Sequence, residues 1–360
     1  MIYARIATFI VGLVIVAVIF DAAFRTFVLP RGEPVRFTRF ISLSLAVLYR
    51  KLAHRLDTYE SIDRLMATFG PLLLLSFPIT WLSSLWFGFG CLFWGAANVS
   101  FDEALHLSAS SLFTLGSTAP SGAPAFGLVI AEAMVGVIFT AILISYLPTI
   151  YGAFSRREIA VTQLAVRAGA PATPTELFTR AHRAQFLTEL DDFWNQWENW
   201  FVEVEETHTS LAVLPFFRSP KSDRSWITSA GCVLDAAAIR MSTLNIGFSP
   251  QAGVCIRAGF LALRSIADYF DIPHDPDPAP DDPISVSREE FYEVYERMAA
   301  QGVPVRPDRE HCYRDYAGWR VNYDAVLIGL CSMLVAPLSP WSSDRGTLSK
   351  PYRPGWRRRR

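Results

Sequence analysis

Between Arg64 and Arg156 the chain carries no lysine and no arginine, while both flanks are rich in arginine. So long a stretch without a basic residue, built largely of Leu, Phe, Ile, Val and Gly, does not make a water-facing surface. Within it, residues 69–94 (FGPLLLLSFPITWLSSLWFGFGCLFW) and 126–154 (FGLVIAEAMVGVIFTAILISYLPTIYGAF) form two apolar runs. At roughly 1.5 Å per helical residue each is long enough to cross a hydrocarbon layer of about 30 Å. Residues 6–29 make a third such run. Composition agrees, since 51% of the 360 residues are apolar or aromatic and mean hydropathy is positive. Backbone polar groups in lipid must be satisfied internally, so these runs predict an all-α membrane protein with three spanning helices.

Charge sets the expected orientation. Arg31, Arg36, Arg39, Arg50, Lys51, Arg55 and Arg64 lie between the first two runs, which predicts a cytoplasmic connection. The connection between the second and third runs holds Asp102 and Glu103 but no basic residue, and is expected outside. The N-terminus is then outside and the C-terminal region cytoplasmic, in a multi-pass protein of the cell membrane. A cleaved signal peptide over residues 6–20 is disfavoured, because cleavage would leave the arginine-rich segment outside. Asp21 and Arg25, four apart, are expected to pair on one helix face. Residues 37–56 contain an apolar run too short to span, flanked by basic residues, and are expected to form an amphipathic helix at the inner interface.

Between the two central runs lies FDEALHLSASSLFTLGSTAPS, residues 101–121. Residues 100–113 are predicted as a short helix, with Ser100 as its cap and Asp102 and Glu103 at the positive end of its dipole. Residues 114–120 are predicted to run on as a non-helical strand. Such backbone is tolerated at membrane depth only when enclosed by protein or lining a water path. One loop per chain then implies a symmetric homotetramer.

The stretches ALHLSASSLFTLGSTAP and FGLVIAEAMVGVIFTAILISYLPTIYGAFSRRE resemble the pore domain of the potassium-channel superfamily, over about residues 69–158. The resemblance implies a tetrameric pore-loop fold: outer helix, re-entrant pore helix with selectivity filter, and inner helix. It also implies passive conduction of a permeant K⁺ or Na⁺ with no other cofactor. In that family the filter is Thr-Val-Gly-Tyr-Gly-Asp. Thr114, Leu115 and Gly116 match its first three positions. Ser117, Thr118 and Ala119 stand where the tyrosine, the second glycine and the aspartate would be. A β-branched residue resists the positive φ that glycine supplies at such a place. The run is more similar to the Thr-Ile-Gly-Glu-Thr-Pro-Pro of cyclic-nucleotide-gated cation channels, which implies weak selection among monovalent cations.

Gly136 lies in the third run where the resemblance places a gating hinge, and Pro148, which removes a backbone donor, is expected to be able to splay the cytoplasmic end and serve as a hinge instead. Gly136 serves equally as a close-packing position. Glu132, an ionisable residue in an apolar run, is expected either to bond the short helix through Ser110 or Ser111 or to rim the outer mouth.

The cytoplasmic region, residues 159–340, is predicted helical over 177–204, 226–244, 251–270, 288–300 and 309–334. Trp194, Trp197 and Trp200 recur at helical spacing and are expected in a core. Glu203, Glu205, Glu206 and His208 have metal-like spacing but lack a second motif, so a solvated helix end is expected and no metal site. DIPHDPDPAPDDP, residues 271–283, reads as an extended acidic linker. No strand alternation or glycine-rich phosphate loop suggests a nucleotide domain. The cysteines are scattered, so neither a disulfide framework nor a zinc knuckle is expected. The basic tail, residues 341–360, is suited to anionic lipid, while the near-neutral region as a whole speaks against nucleic acid. The expected division is a spanning helix (1–30), a connection (31–68), a pore domain (69–158), the helical domain and the tail. No nucleophile–base pair or metal set suggests an enzyme. The alternative to a channel is a non-conducting, membrane-anchored sensor or scaffold acting through its helical domain, whose ligand the sequence does not identify.

Overall fold

The computed structural model describes residues 2–27, 36–53, 55–120 and 122–345. The arginines at 357–360 and residues 28–35 of the first connection lie outside the described residues. Among the described residues the regular structure is helical, with one isolated bridge between Leu244 and Val305. Three helices are long and apolar enough to cross a membrane. The chain divides into two compact units: Met1–Leu52 with Thr68–Gly152, and Ala53–Ala67 with Ala153–Arg360.

The first unit holds α1 (Ile2–Phe27), α2 (Arg36–Ala53), α4 (Phe69–Ala96), α5 (Phe101–Leu112) and the first part of α6 (Ala123–Ala168). α1 and α4 pack through small residues. A Cβ added to Gly12 would lie 2.6 Å from the Gly88 carbonyl, and one on Gly95 would lie 2.6 Å from Phe9 Cβ. Without a hydrophobic drive between helices in lipid, such close backbone approach is what dispersion requires. The contacts run in opposite directions along the two helices, so they are antiparallel. Arg5 closes the pair, donating to the Ala97 carbonyl at 3.3 Å and lying over the Trp94 ring. Asp21 and Arg25 pair at 2.9 Å as expected.

The second unit holds α3 (Tyr59–Ala67), the last turns of α6, α7 (Pro174–Arg183), α8 (Asp191–Ser210), α9 (Trp226–Ser242), α10 (Pro250–Tyr269), α11 (Arg288–Ala300), α12 (Arg309–Arg320) and α13 (Asp324–Leu334). α9 is the central helix, with nearly every residue buried. Trp194, Trp197 and Trp200 are core residues of α8. α3 joins this unit through Arg218, which bonds Asp63 at 2.7 Å and Tyr59 at 3.2 Å.

Several boundaries differ from the periodicity. The predicted helix over 177–204 is two helices, because Gln185 adopts a left-handed φ of 62° and the next helix starts only at Asp191. The predicted helix over 309–334 breaks after Arg320, which re-phases the chain so that Arg320 and Tyr323 both reach Asp235 Oδ1, at 2.6 and 2.9 Å. The 271–283 segment is a loop within this unit, with Ile272 buried and Arg264 holding the Pro276 carbonyl at 2.8 Å. α6 does not end at Arg156 and Arg157 but continues as helix to Ala168. All five cysteines are buried and unpaired.

Candidate functional site

α5 begins where its sequence says it should. Ser100 Oγ accepts from the Glu103 amide at 3.2 Å, and the Glu103 carboxylate accepts from the Ser100 amide at 2.8 Å. This reciprocal box satisfies two end donors at once. The backbone hydrogen bond from Ser100 holds the Glu103 carboxyl below its ordinary range. Asp102, on the same turn, lies 3.7 Å from His106 at the surface.

From this cap α5 runs back along the end of α4. Phe101 packs edge-on against Trp94 and Phe87. Leu105 fills the space left by Gly90, and its carbonyl accepts from Trp86 Nε1 at 2.9 Å. Ser108 reaches the Trp86 carbonyl at 2.8 Å. With 12 residues, α5 is about 18 Å long and too short to span. It ends against α6: a Cβ on Gly136 would lie 2.2 Å from the Leu112 carbonyl. Gly136 lies about 20 Å along α6 from its start at roughly 1.5 Å per residue, so α5 stops part-way down that helix.

The stop is a Schellman turn. The Thr114 amide donates to the Ser111 carbonyl at 3.1 Å and the Leu115 amide to the Ser110 carbonyl at 2.8 Å. The turn requires a left-handed residue, and Thr114 takes it with φ 52°. The expected direct passage from helix into strand at Thr114 is therefore corrected: the chain first reverses hand. Gly116 is also left-handed, with φ 65°. Thr118 is not.

Ser110 then holds the loop from within. Its hydroxyl accepts from the Ser117 amide at 2.9 Å and the Thr118 amide at 3.2 Å. The amides of Thr114, Leu115, Ser117 and Thr118 are thus all turned toward the end of α5. Among the described residues no hydrogen bond ends on a carbonyl oxygen of 113–119. Those same residues are exposed on the single chain.

Glu132 is fully buried, and its partner is Ser108 rather than Ser110 or Ser111. Ser108 Oγ lies 2.6 Å from Glu132 Oε1. Ser110 is engaged with the loop, and Ser111 bonds the Leu107 carbonyl one turn back at 2.8 Å. The outer-mouth alternative for Glu132 does not hold on the described chain, because the side chain lies inside it. α6 is unbroken at Gly136 and at Pro148. Near the proline, Thr149 Oγ1 bonds the Ser145 carbonyl at 3.1 Å.

In the second unit, the Glu203–His208 group is a solvated helix end only in part: Glu206 is exposed and Glu205 half-buried, while His208 is buried. Glu203 pairs with Arg156. His208 is buried, 3.2 Å from Arg157 Nη1 and 3.1 Å from Thr207 Oγ1. Burial, reinforced by the Arg157 charge, pushes its imidazole well below the ordinary range. Arg157 also donates to the Leu214 and Phe217 carbonyls at 3.0 and 2.6 Å and pairs with Glu158 at 2.8 Å. Among the described residues no group of His, Cys, Asp and Glu is placed to hold a metal ion.

Ser108, Ser110 and Trp86 were not singled out for these roles by the sequence. The signal the two serines leave is the run Ser108-Ala109-Ser110-Ser111, beyond the charged first turns of α5. Against known proteins, no family model matches the chain, nor does any curated protein or solved structure.

Proposed function

We propose that this protein is a homotetrameric, passive channel for monovalent cations of the potassium-channel type, with the 114–118 loop of each chain facing a shared axis. One observation carries the reading: the loop turns its amides inward to Ser110 and Ser111 and leaves its carbonyl oxygens unbonded and exposed. Unbonded carbonyls part-way down a spanning helix have no use in lipid, where each costs several kcal/mol. Arranged around an axis they replace the hydration shell of a cation.

In this reading α4 is the outer helix, α5 the re-entrant pore helix and α6 the inner helix. Thr114, Leu115 and Gly116 lend the surviving carbonyl ladder. Alternation of hand stops at Gly116, since Thr118 is not left-handed, which favours weak preference for K⁺ over Na⁺. The loop that carries Asp102 and Glu103 faces outside, and the second unit lies in the cytoplasm of a plasma or inner membrane.

Purified protein in planar bilayers tests this. Unitary cation currents, with a reversal potential close to zero under bi-ionic K⁺/Na⁺, are expected, together with a native mass of four chains. Ser110→Ala releases two loop amides and should abolish or destabilise the conducting level without removing the protein from the membrane. Strong preference for K⁺ would overturn the weak-selectivity part. Monomers or dimers that pass no current would overturn the whole, and favour a membrane-anchored scaffold.

A further inference from the structure

Ser108 sits between two acceptors. Its oxygen lies 2.8 Å from the Trp86 carbonyl of α4 and 2.6 Å from Glu132 Oε1 of α6. A serine hydroxyl has one hydrogen and a carbonyl oxygen has none. Both contacts are hydrogen bonds only if the carboxyl supplies the second hydrogen. The other carboxyl oxygen, Glu132 Oε2, is buried with no hydrogen-bond partner. That suits the carbonyl oxygen of a neutral acid and not half of a carboxylate, which is costly to bury without donors.

No counter-charge on the neighbouring elements offers an alternative. α4 contains no Asp, Glu, Lys, Arg or His, and its one titratable side chain is Cys91. On α5, Asp102, Glu103 and His106 lie in the exposed first turns. On α6, only Tyr146 and Tyr151 are titratable between Glu132 and Arg156. On α1, Asp21 and Arg25 serve each other, and Arg5 serves Ala97.

We propose that Glu132 is a proton-bearing positioning residue: its carboxyl donates to Ser108, Ser108 donates to the Trp86 carbonyl, and this relay ties the pore-side helix α5 to both α4 and α6. The two contacts bring together residues 22 and 24 positions apart in sequence, so the relay closes tertiary structure and not a local turn. It acts two residues before Ser110, and so fixes the helix end from which the loop hangs. The inference stands on the hydrogen count and is independent of whether the protein conducts.

Infrared difference spectra of detergent-solubilised full-length protein at neutral pH, wild type against Glu132→Gln, provide the direct test. The wild type should show the carbonyl band of a protonated carboxylic acid that is missing in the variant. Glu132→Gln keeps a donor to Ser108 and should retain the wild-type melting temperature. Glu132→Ala and Ser108→Ala should each melt several degrees lower, and the double variant no lower than the worse single. On raising the pH, the wild type should lose thermal stability that Glu132→Gln keeps. A carboxylate band in place of the acid band would overturn the proposal, as would a Glu132→Gln variant as destabilised as Glu132→Ala. Should the alanine variants fail to fold, the spectrum and the glutamine variant decide alone.

Discussion

Thr114 is the residue under most local strain in the described loop, a β-branched side chain held at φ 52°. The left-handed region costs a non-glycine residue on the order of 1–2 kcal/mol, and glycine is the usual occupant of this position in a Schellman turn. Thr114→Gly should therefore raise the melting temperature in detergent, by about 1 kcal/mol in stability, even where it alters conduction. Arg320 presents the opposite case. It is fully buried, bonds Asp324 and Asp235 at 2.6 Å each, and donates to the Trp341 carbonyl at 2.6 Å. Removing it leaves Asp235 buried with only the hydroxyls of Tyr316 and Tyr323. Arg320→Met should destabilise the second unit by about 3–5 kcal/mol, measured by denaturant unfolding. Glu103 gives a pH prediction. Its carboxyl is held below its ordinary value of 4.5, so its contribution is present above that value and lost as pH falls through the lower folded value. Below about pH 4.5 the wild type should lose stability that Glu103→Gln, already without the charge, does not lose further.

At the scale of elements, the contact between α5 and α6 is set by the absence of a side chain. A methyl group at Gly136 would lie 2.2 Å from a backbone carbonyl that cannot rotate away, so one of the two helices must shift. Gly136→Ala should cost about 1–3 kcal/mol in thermal stability. Gly127, on the same helix with nothing within 4 Å, makes the control: alanine there should be neutral or stabilise by about 0.5–1 kcal/mol. The close-packing reading of Gly136 rests on this contact. A loss of stability for Gly127→Ala equal to that for Gly136→Ala would show that helix flexibility and not this contact is what matters. The α7–α8 and α12–α13 breaks teach a related lesson. Apolar spacing continues across both breaks, because the residues on either side face one core. What interrupts the helix is a single left-handed residue or a need to re-aim two side chains at one carboxylate, and neither changes hydropathy.

At the scale of the whole molecule, burial of all five cysteines gives a global readout of folding. Burial pushes the Cys232, Cys255 and Cys331 thiols far above the ordinary range, so thiolate is suppressed as well as shielded. Native protein should resist thiol-specific reagents at neutral pH, and all five sites should react after denaturation. Rapid labelling of any one in native protein would show that its surroundings are looser than described.

The three long apolar helices, the capped start of α5 and the tryptophans of α8 could be read from the chain alone, because hydropathy, caps and helical spacing are properties of residues near in sequence. Which serine meets Glu132, which hydroxyl gathers the loop amides, and whether His208 faces water were decided by tertiary structure. Each depends on how helices far apart in sequence are rotated against one another, and a rotation of one residue, about 100°, exchanges one serine of the 108–111 run for the next. The run announced that hydroxyls would be used there. Only packing of α5 between Trp86 and Gly136 determined how.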